Sequence, residues 1–187
     1  MSSAKRSRSI SFFDPPSAAP ELYESGVMSL PTMEPDAPDQ LVEWALSGGH
    51  VVRTLFRQPD GMSLVWSWFG PSYALPRHSH SADCLYFVIA GEAHLGNRVV
   101  GAGAGFFVPA DAPYAYSAGP DGIQILEFRN VDSFDMKITE SLPRWDAIID
   151  VVRANSEAWQ AAAPSATDGP LAQHAADHSA NGHSANE

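Results

Sequence analysis

The spacing of apolar residues changes period twice along this chain. Residues 39–47 place Leu41, Trp44 and Ala45 on one helical face. Asp39 stands where a helix cap is expected, and Gly48-Gly49 where a helix stops. From residue 51 the pattern alternates, as in strands with one face inward. Residues 51–56 read as a strand, Gln58-Pro59-Asp60-Gly61 as a turn, and 62–69 as a second strand. That strand carries Trp66 and Trp68 on one face and Ser63, Val65 and Ser67 on the other. Gly70-Pro71 breaks it. Further short strands are predicted at 75–80, 84–89, 92–95, 105–108, 114–117 and 123–128. Turns are predicted at 81–83, 90–91, 96–97, 101–103, 109–113 and 119–122. After Ser141, a plausible cap, helical spacing returns. Pro143 suits the first turn, and Trp145, Ile148, Ile149, Val152 and Trp159 share a face, so 142–160 is predicted as a helix packed on the strands.

Many short strands at regular spacing predict an all-β antiparallel barrel or sandwich, with a short helix before it and a longer one after. The expected division is a flexible arm at 1–20, a barrel with its leading helix at 21–140, a helix at 141–160 and a disordered tail at 161–187. No internal repeat is present. Fifteen prolines and fourteen glycines in 187 residues reinforce the turn-rich reading, and 44% hydrophobic residues is a globular fraction. A net charge of −11 argues against nucleic acid and anionic lipid as partners. No apolar run is long enough for a membrane span. The basic start (Lys5, Arg6, Arg8) is followed by Ile10, Phe12 and Phe13, but Asp14-Pro15-Pro16 interrupts before a signal-peptide core develops. A single cysteine, Cys84, excludes an internal disulfide framework, and the expected location is cytoplasmic.

The candidate chemistry centres on His78-Ser79-His80. Side chains two apart in a strand share a face, so two imidazoles can meet one metal ion. The bland alternative is a pair of surface or hydrogen-bonded histidines. Three residues after His80 stands Cys84, and six residues after that, Gly91. Gly103 is followed by five residues, Pro109, one residue, Asp111, two residues and Tyr114. This spacing resembles the two motifs of the cupin superfamily over residues 70–128. The first motif runs glycine, His-x-His, three or four residues, glutamate, six residues, glycine. The second runs glycine, five residues, proline, one residue, glycine, two residues, histidine. The resemblance implies a jelly-roll barrel, a divalent metal and His78 and His80 as ligands.

The departures bear on function. Cys84 stands for the usual glutamate ligand, Tyr114 for the third histidine and Asp111 for the turn glycine; the leading glycine is displaced, with seven residues between Gly70 and His78. Cys84 could bind as thiolate, suiting zinc or iron, or be a buried core thiol. Tyr114 could ligate, hydrogen-bond a water or substrate, or simply pack. Asp83 could supply an oxygen or be a solvated turn acid. Substrate and water could complete a two-histidine shell, or the metal could be weakly held or absent.

Glu127, if inward, is an acid/base candidate; the simpler expectation places it outward beside Arg129. Tyr86 and Tyr116 share parity with Cys84 and Tyr114 and are candidates for the pocket wall, as are Trp66 and Trp68; Tyr73 and Phe106 are expected in the core. His94, between Ala93 and Leu95, is expected outside. Arg53 and Arg57 are expected toward solvent, and His174, His178 and His183 in the tail.

The leading expectation is a metal-dependent enzyme acting on a small organic molecule. Iron-dependent oxygenase chemistry is the subclass to test first, with zinc, manganese or nickel as alternative ions. Cys84 would be a ligand or tune the site, and Tyr114 would be an acid or hydrogen-bond donor. A metal-dependent lyase or isomerase is the near alternative. From other classes come a non-catalytic sensor or carrier of a small ligand, and a structural dimer with a vestigial pocket. A homodimer is the default, as cupins commonly form dimers, and no helix-turn-helix segment accompanies the barrel.

Overall fold

A computed structural model of the chain describes residues 10–16 and 18–164. Half of the expected N-terminal arm and nearly all of the expected tail, with His174, His178 and His183, lie outside the described residues. The chain forms β1 (Thr32–Met33), α1 (Pro38–Ala45), β2 (His50–Arg57), β3 (Ser63–Phe69), β4 (His78–Ser79), β5 (Cys84–Leu95), β6 (Arg98–Gly101), β7 (Gly105–Val108), β8 (Ser117–Arg129), β9 (Lys137–Ile138) and α2 (Leu142–Ala162). It is a mostly β fold flanked by two helices, as the alternation predicted.

The larger sheet runs β2-β3-β8-β5-β6, with β7 also on β5, and all its ladders are antiparallel. The smaller runs β1-β9-β4, with β1 parallel to β9. Main-chain bonds between residues 73–78 and 114–118 stitch the two sheets along one side: Leu75 N–H donates to Tyr116 O, and His78 and Tyr114 exchange both their bonds at 2.9 Å.

The inward positions form the core. On β5, Cys84, Tyr86 and Val88 are buried, while Leu85 and Phe87 between them are exposed. On β8, Ile123, Ile125, Glu127 and Arg129 point inward. The helical stripe on α2 is buried at all five expected positions. Trp159 Nε1–H donates to Pro71 O at 2.9 Å, and Trp145 meets Trp44 of α1 edge-on at 6.3 Å. Burial of these rings pins both helices to the sheet ends.

Several boundaries differ from expectation. Helix α1 begins one residue earlier, with Pro38 in its first turn; Asp39 lies inside the helix, and neither it nor Ser141 on α2 makes a side-chain cap bond. The expected strands at 84–89 and 92–95 are one strand, because Gly91 (φ 70°) bends it where the register to β8 shifts, instead of turning the chain back. The expected turn at 119–122 lies within β8. Strand β6 is additional to the strands the alternation predicts, and residues 114–117 contribute bridges more than a strand of their own.

Gly91 and Gly122 sit back to back. A Cβ on Gly91 would lie 2.1 Å from Gly122 O, and its backbone is left-handed. Gly91→Ala should therefore cost at least about 1–2 kcal/mol from backbone conformation alone, plus the shift of β8, read as a lowered urea midpoint. An unchanged midpoint would contradict this close approach.

Candidate functional site

A cavity of about 370 Å³ opens between the sheets. Exposed residues of its lining, Glu21, Tyr23 and Leu46, mark the mouth, where Arg53 Nη1 holds Glu21 Oε1 at 2.5 Å. Buried polar side chains converge deeper in, His78, His80, Tyr86, Glu127 and Arg129, beside the half-buried Tyr114. Phe69, Tyr116, Phe134 and Met136 form apolar wall.

His78 and His80 flank Ser79 at strand β4, and both rings turn inward. Their centroids are 5.0 Å apart with planes at 72°. His78 Nδ1 lies 2.7 Å from Pro76 O, and His80 Nδ1 lies 2.6 Å from Asp135 O. A carbonyl oxygen only accepts, so each Nδ1 carries the proton and each Nε2 keeps its lone pair. Burial holds both rings neutral: it lowers His78 to about 4, and His80 to about 2 with help from the Arg129 charge. Neutral imidazoles fixed through Nδ1–H to main-chain carbonyls have the protonation and second contact that metal-binding histidines use. The two side chains therefore fit the divalent ion that the motif implies.

Tyr114 occupies the place of the third motif histidine. Its ring is 4.3 Å from His78 and 6.3 Å from His80. The bridge His78–Tyr114 puts them opposite each other. Asp111, standing for the motif glycine, keeps a left-handed φ of 59°. The Tyr114 hydroxyl hydrogen-bonds the Tyr86 hydroxyl. Arg129 Nη2 donates to Tyr86 Oη at 3.4 Å and to Glu127 Oε2 at 2.9 Å, and Ser67 Oγ donates to Glu127 Oε1 at 2.7 Å. Burial raises the pKa of both tyrosines, keeping them as O–H donors. For Arg129 burial is the largest single influence and opposes the charge, but the Glu127 carboxylate together with smaller contributions from Tyr86, Cys84 and Tyr114 raises its pKa and holds the guanidinium protonated.

Two expectations change here, for the tryptophans and for Glu127, and two open alternatives narrow, for Cys84 and Asp83. Cys84 faces the core but not the cavity lining; among the described residues no three of His, Cys, Asp and Glu gather to hold an ion, so the His-His-Cys set is not formed. Burial pushes its thiol up to about 12. Cys84 should thus resist thiol reagents in the native protein and react readily once unfolded; fast native labelling would contradict its burial. Trp66 and Trp68 do not line the cavity. They pack with Leu55 on the opposite face of β3, because Val65, Ser67 and Phe69 take the inner parity. Glu127 is not outward: it shares a face with Arg129 as expected, but that face is the inner one. Asp83 accepts from Ala110 N–H at 2.8 Å and braces a turn, away from the histidines.

Tyr86 and Tyr116 lie in the lining, while Tyr73 is in the core and Phe106 stacks on Tyr86 at 4.6 Å. His94 pairs with Glu92 at 2.7 Å, apart from the cavity, and Arg57 lies 3.6 Å from Asp132. Arg129 and His50 were not singled out as cavity residues from the sequence. Parity from the apolar Ile123 and Ile125 pointed to Arg129, but Leu126 and Phe128 made the other face equally apolar. His50 lines the outer cavity, accepts or donates at Tyr73 Oη at 2.9 Å, and is lowered to about 4 by burial.

No family model and no curated protein matches the chain. Similar solved structures include the polyketide cyclase RemF from Streptomyces resistomycificus, at 23% identity and a TM-score of 0.40 over 44% of this chain and 65% of that one. An RmlC-like cupin from Shewanella frigidimarina NCIMB 400 is similar at 23% identity and a TM-score of 0.42, over 46% and 79%. KdgF from a Halomonas species is similar at 23% identity and 0.39, over 44% and 79%. Each likeness thus involves less than half of this chain, and the chain spans just under two thirds of the cyclase. Among the described residues no helix is long and apolar enough to cross a membrane.

Proposed function

We infer that this chain is a cupin whose cavity binds a divalent metal through His78 and His80 and acts enzymatically on a small organic molecule. The observation that carries this reading is the pair of Nδ1–H bonds to Pro76 O and Asp135 O, which leaves two free Nε2 lone pairs on neighbouring rings in one cavity. A divalent ion bound there would supply Lewis acidity, or redox chemistry in the case of iron. Around it the chain's own groups divide the work. Phe69, Tyr116 and Phe134 exclude water and hold an apolar substrate body, Tyr114 offers a hydroxyl at the place of the third motif ligand, and Glu127 with Arg129 anchors Tyr86 behind it.

Iron-dependent oxygenation is the first subclass to test. Lyase or isomerase chemistry is the second reading, favoured by the Tyr114–Tyr86 hydroxyl pair, which can donate a proton without oxygen while Arg129 fixes Tyr86 from behind. Purified protein should carry about one equivalent of iron, zinc, manganese or nickel. Oxygen uptake with candidate substrates then separates the two chemistries. Protein that takes up no metal after reconstitution, yet binds a small molecule, would replace this reading with a sensor or carrier. The proposed protein is a cytoplasmic homodimer; the exposed row Phe107, Leu85 and Phe128 on the outer sheet face supports self-association.

A further inference from the structure

We propose that Arg129 anchors a carboxylate group of the cavity's ligand. This rests on the reading that the cavity is the ligand site, but concerns a residue that the metal reading does not require.

The Arg129 side chain is fully buried, yet the residue lines the cavity. A guanidinium has five N–H groups, and buried donors need partners. Nη2 is used, toward Glu127 Oε2 and Tyr86 Oη. Nε and Nη1 are buried and have no partner among the described residues. The group is not free to turn and find one. Phe134 covers its face, with Cζ 3.8 Å from the ring centroid, and Glu127 holds one edge. Glu127 in turn has its other oxygen occupied by Ser67. An ion pair built only for stability would leave no reason for a fixed, under-used cation in the wall of a cavity.

The chemistry of the surroundings selects the ligand class. Arg129 is the one cation among the buried lining residues, and Glu127 already balances its charge. Any anion there meets a guanidinium already paired with Glu127, so a singly charged ligand leaves less uncompensated charge than a doubly charged phosphate. A carboxylate brings one charge and acceptor oxygens for an unpartnered Nε–H or Nη1–H. Phe69, Leu75, Tyr116 and Met136 offer apolar surface to the rest of the molecule, and about 370 Å³ admits a compact body such as one ring. The ligand class is therefore a small monocarboxylate with an apolar or aromatic body.

The test uses the full chain, stripped of metal by a chelator, with benzoate as probe and benzamide as its uncharged counterpart of equal shape. Titration calorimetry should show benzoate bound at least about tenfold more tightly than benzamide. Arg129→Met should remove that preference while changing benzamide affinity by less than about twofold. Because Arg129→Met leaves Glu127 unpaired, Glu127→Gln/Arg129→Met serves as the charge-balanced second variant, with a thermal melt to verify folding. Equal binding of the two probes by the parent protein overturns the proposal, as does binding of neither. A benzoate preference that survives in a folded double variant does so too. The two readings fail separately. A benzoate preference in a chain that takes up no metal sinks only the metal, whereas a chain that takes up metal and does not discriminate the probes sinks only the arginine anchor.

Discussion

His78→Ala and His80→Ala should each lower affinity for the divalent ion by more than about 100-fold. Removing a mere outer partner of a ligating histidine typically costs about 10–100-fold, and these rings are assigned as ligands themselves. The expectation follows from geometry. Each ring is buried, neutral and fixed through Nδ1, and nothing else of ligand type among His, Cys, Asp and Glu stands ready to take its place among the described residues. Metal content by elemental analysis and competition with a chelator read the effect, with circular dichroism confirming the fold. Tyr114→Phe is the informative companion. It removes the hydroxyl at the third motif position while keeping the ring that packs 4.3 Å from His78. If both histidine variants kept their metal, the ion would sit elsewhere and the proposed function would fall.

Glu127→Ala should destabilise the protein by about 3–5 kcal/mol, because it strands a buried guanidinium without its counter-charge. Arg129 has no exposed side-chain surface, and its Nη2 lies 2.9 Å from the Glu127 carboxylate. The Ser67 hydroxyl would lose its acceptor in the same change. Replacing both members with apolar residues of similar size, as in Glu127→Leu/Arg129→Met, should recover much of the loss, since a buried pair contributes little over well-packed apolar groups. Urea unfolding of the parent, single and double variants forms the cycle. A loss below about 1 kcal/mol in Glu127→Ala would mean that Arg129 does not depend on Glu127 for its counter-charge.

The pair also shows where sequence reading stopped. The alternation of 123–129 was visible, and it correctly put Glu127 and Arg129 on one face. It did not identify the inner face, since Ile123 and Ile125 lie on one side and Leu126 and Phe128 on the other. The same ambiguity misled the reading of β3. Trp66 and Trp68 are the largest residues there, yet they pack on the outer side with Leu55, and the smaller Val65 and Ser67 face the cavity side. Size does not choose a face when both faces are covered.

What the residues determined by themselves is local. Two histidines spaced by one residue in an extended segment must share a side, and the 3.6-residue stripe on α2 must be buried together. The Gly91 position must bend or turn, because its neighbours on both sides are strand-forming. Whether it bends or turns, which side of each strand is interior, and whether Cys84 meets the histidines depend on partners distant in the chain. Gly122 packs against Gly91 and keeps β5 running on, the 73–78 and 114–118 segments bring Tyr114 to His78, and the loop after β8 brings Asp135 O to His80. Those contacts are long-range, so short-range periodicity carries no information about them, and only the assembled sheets decide them.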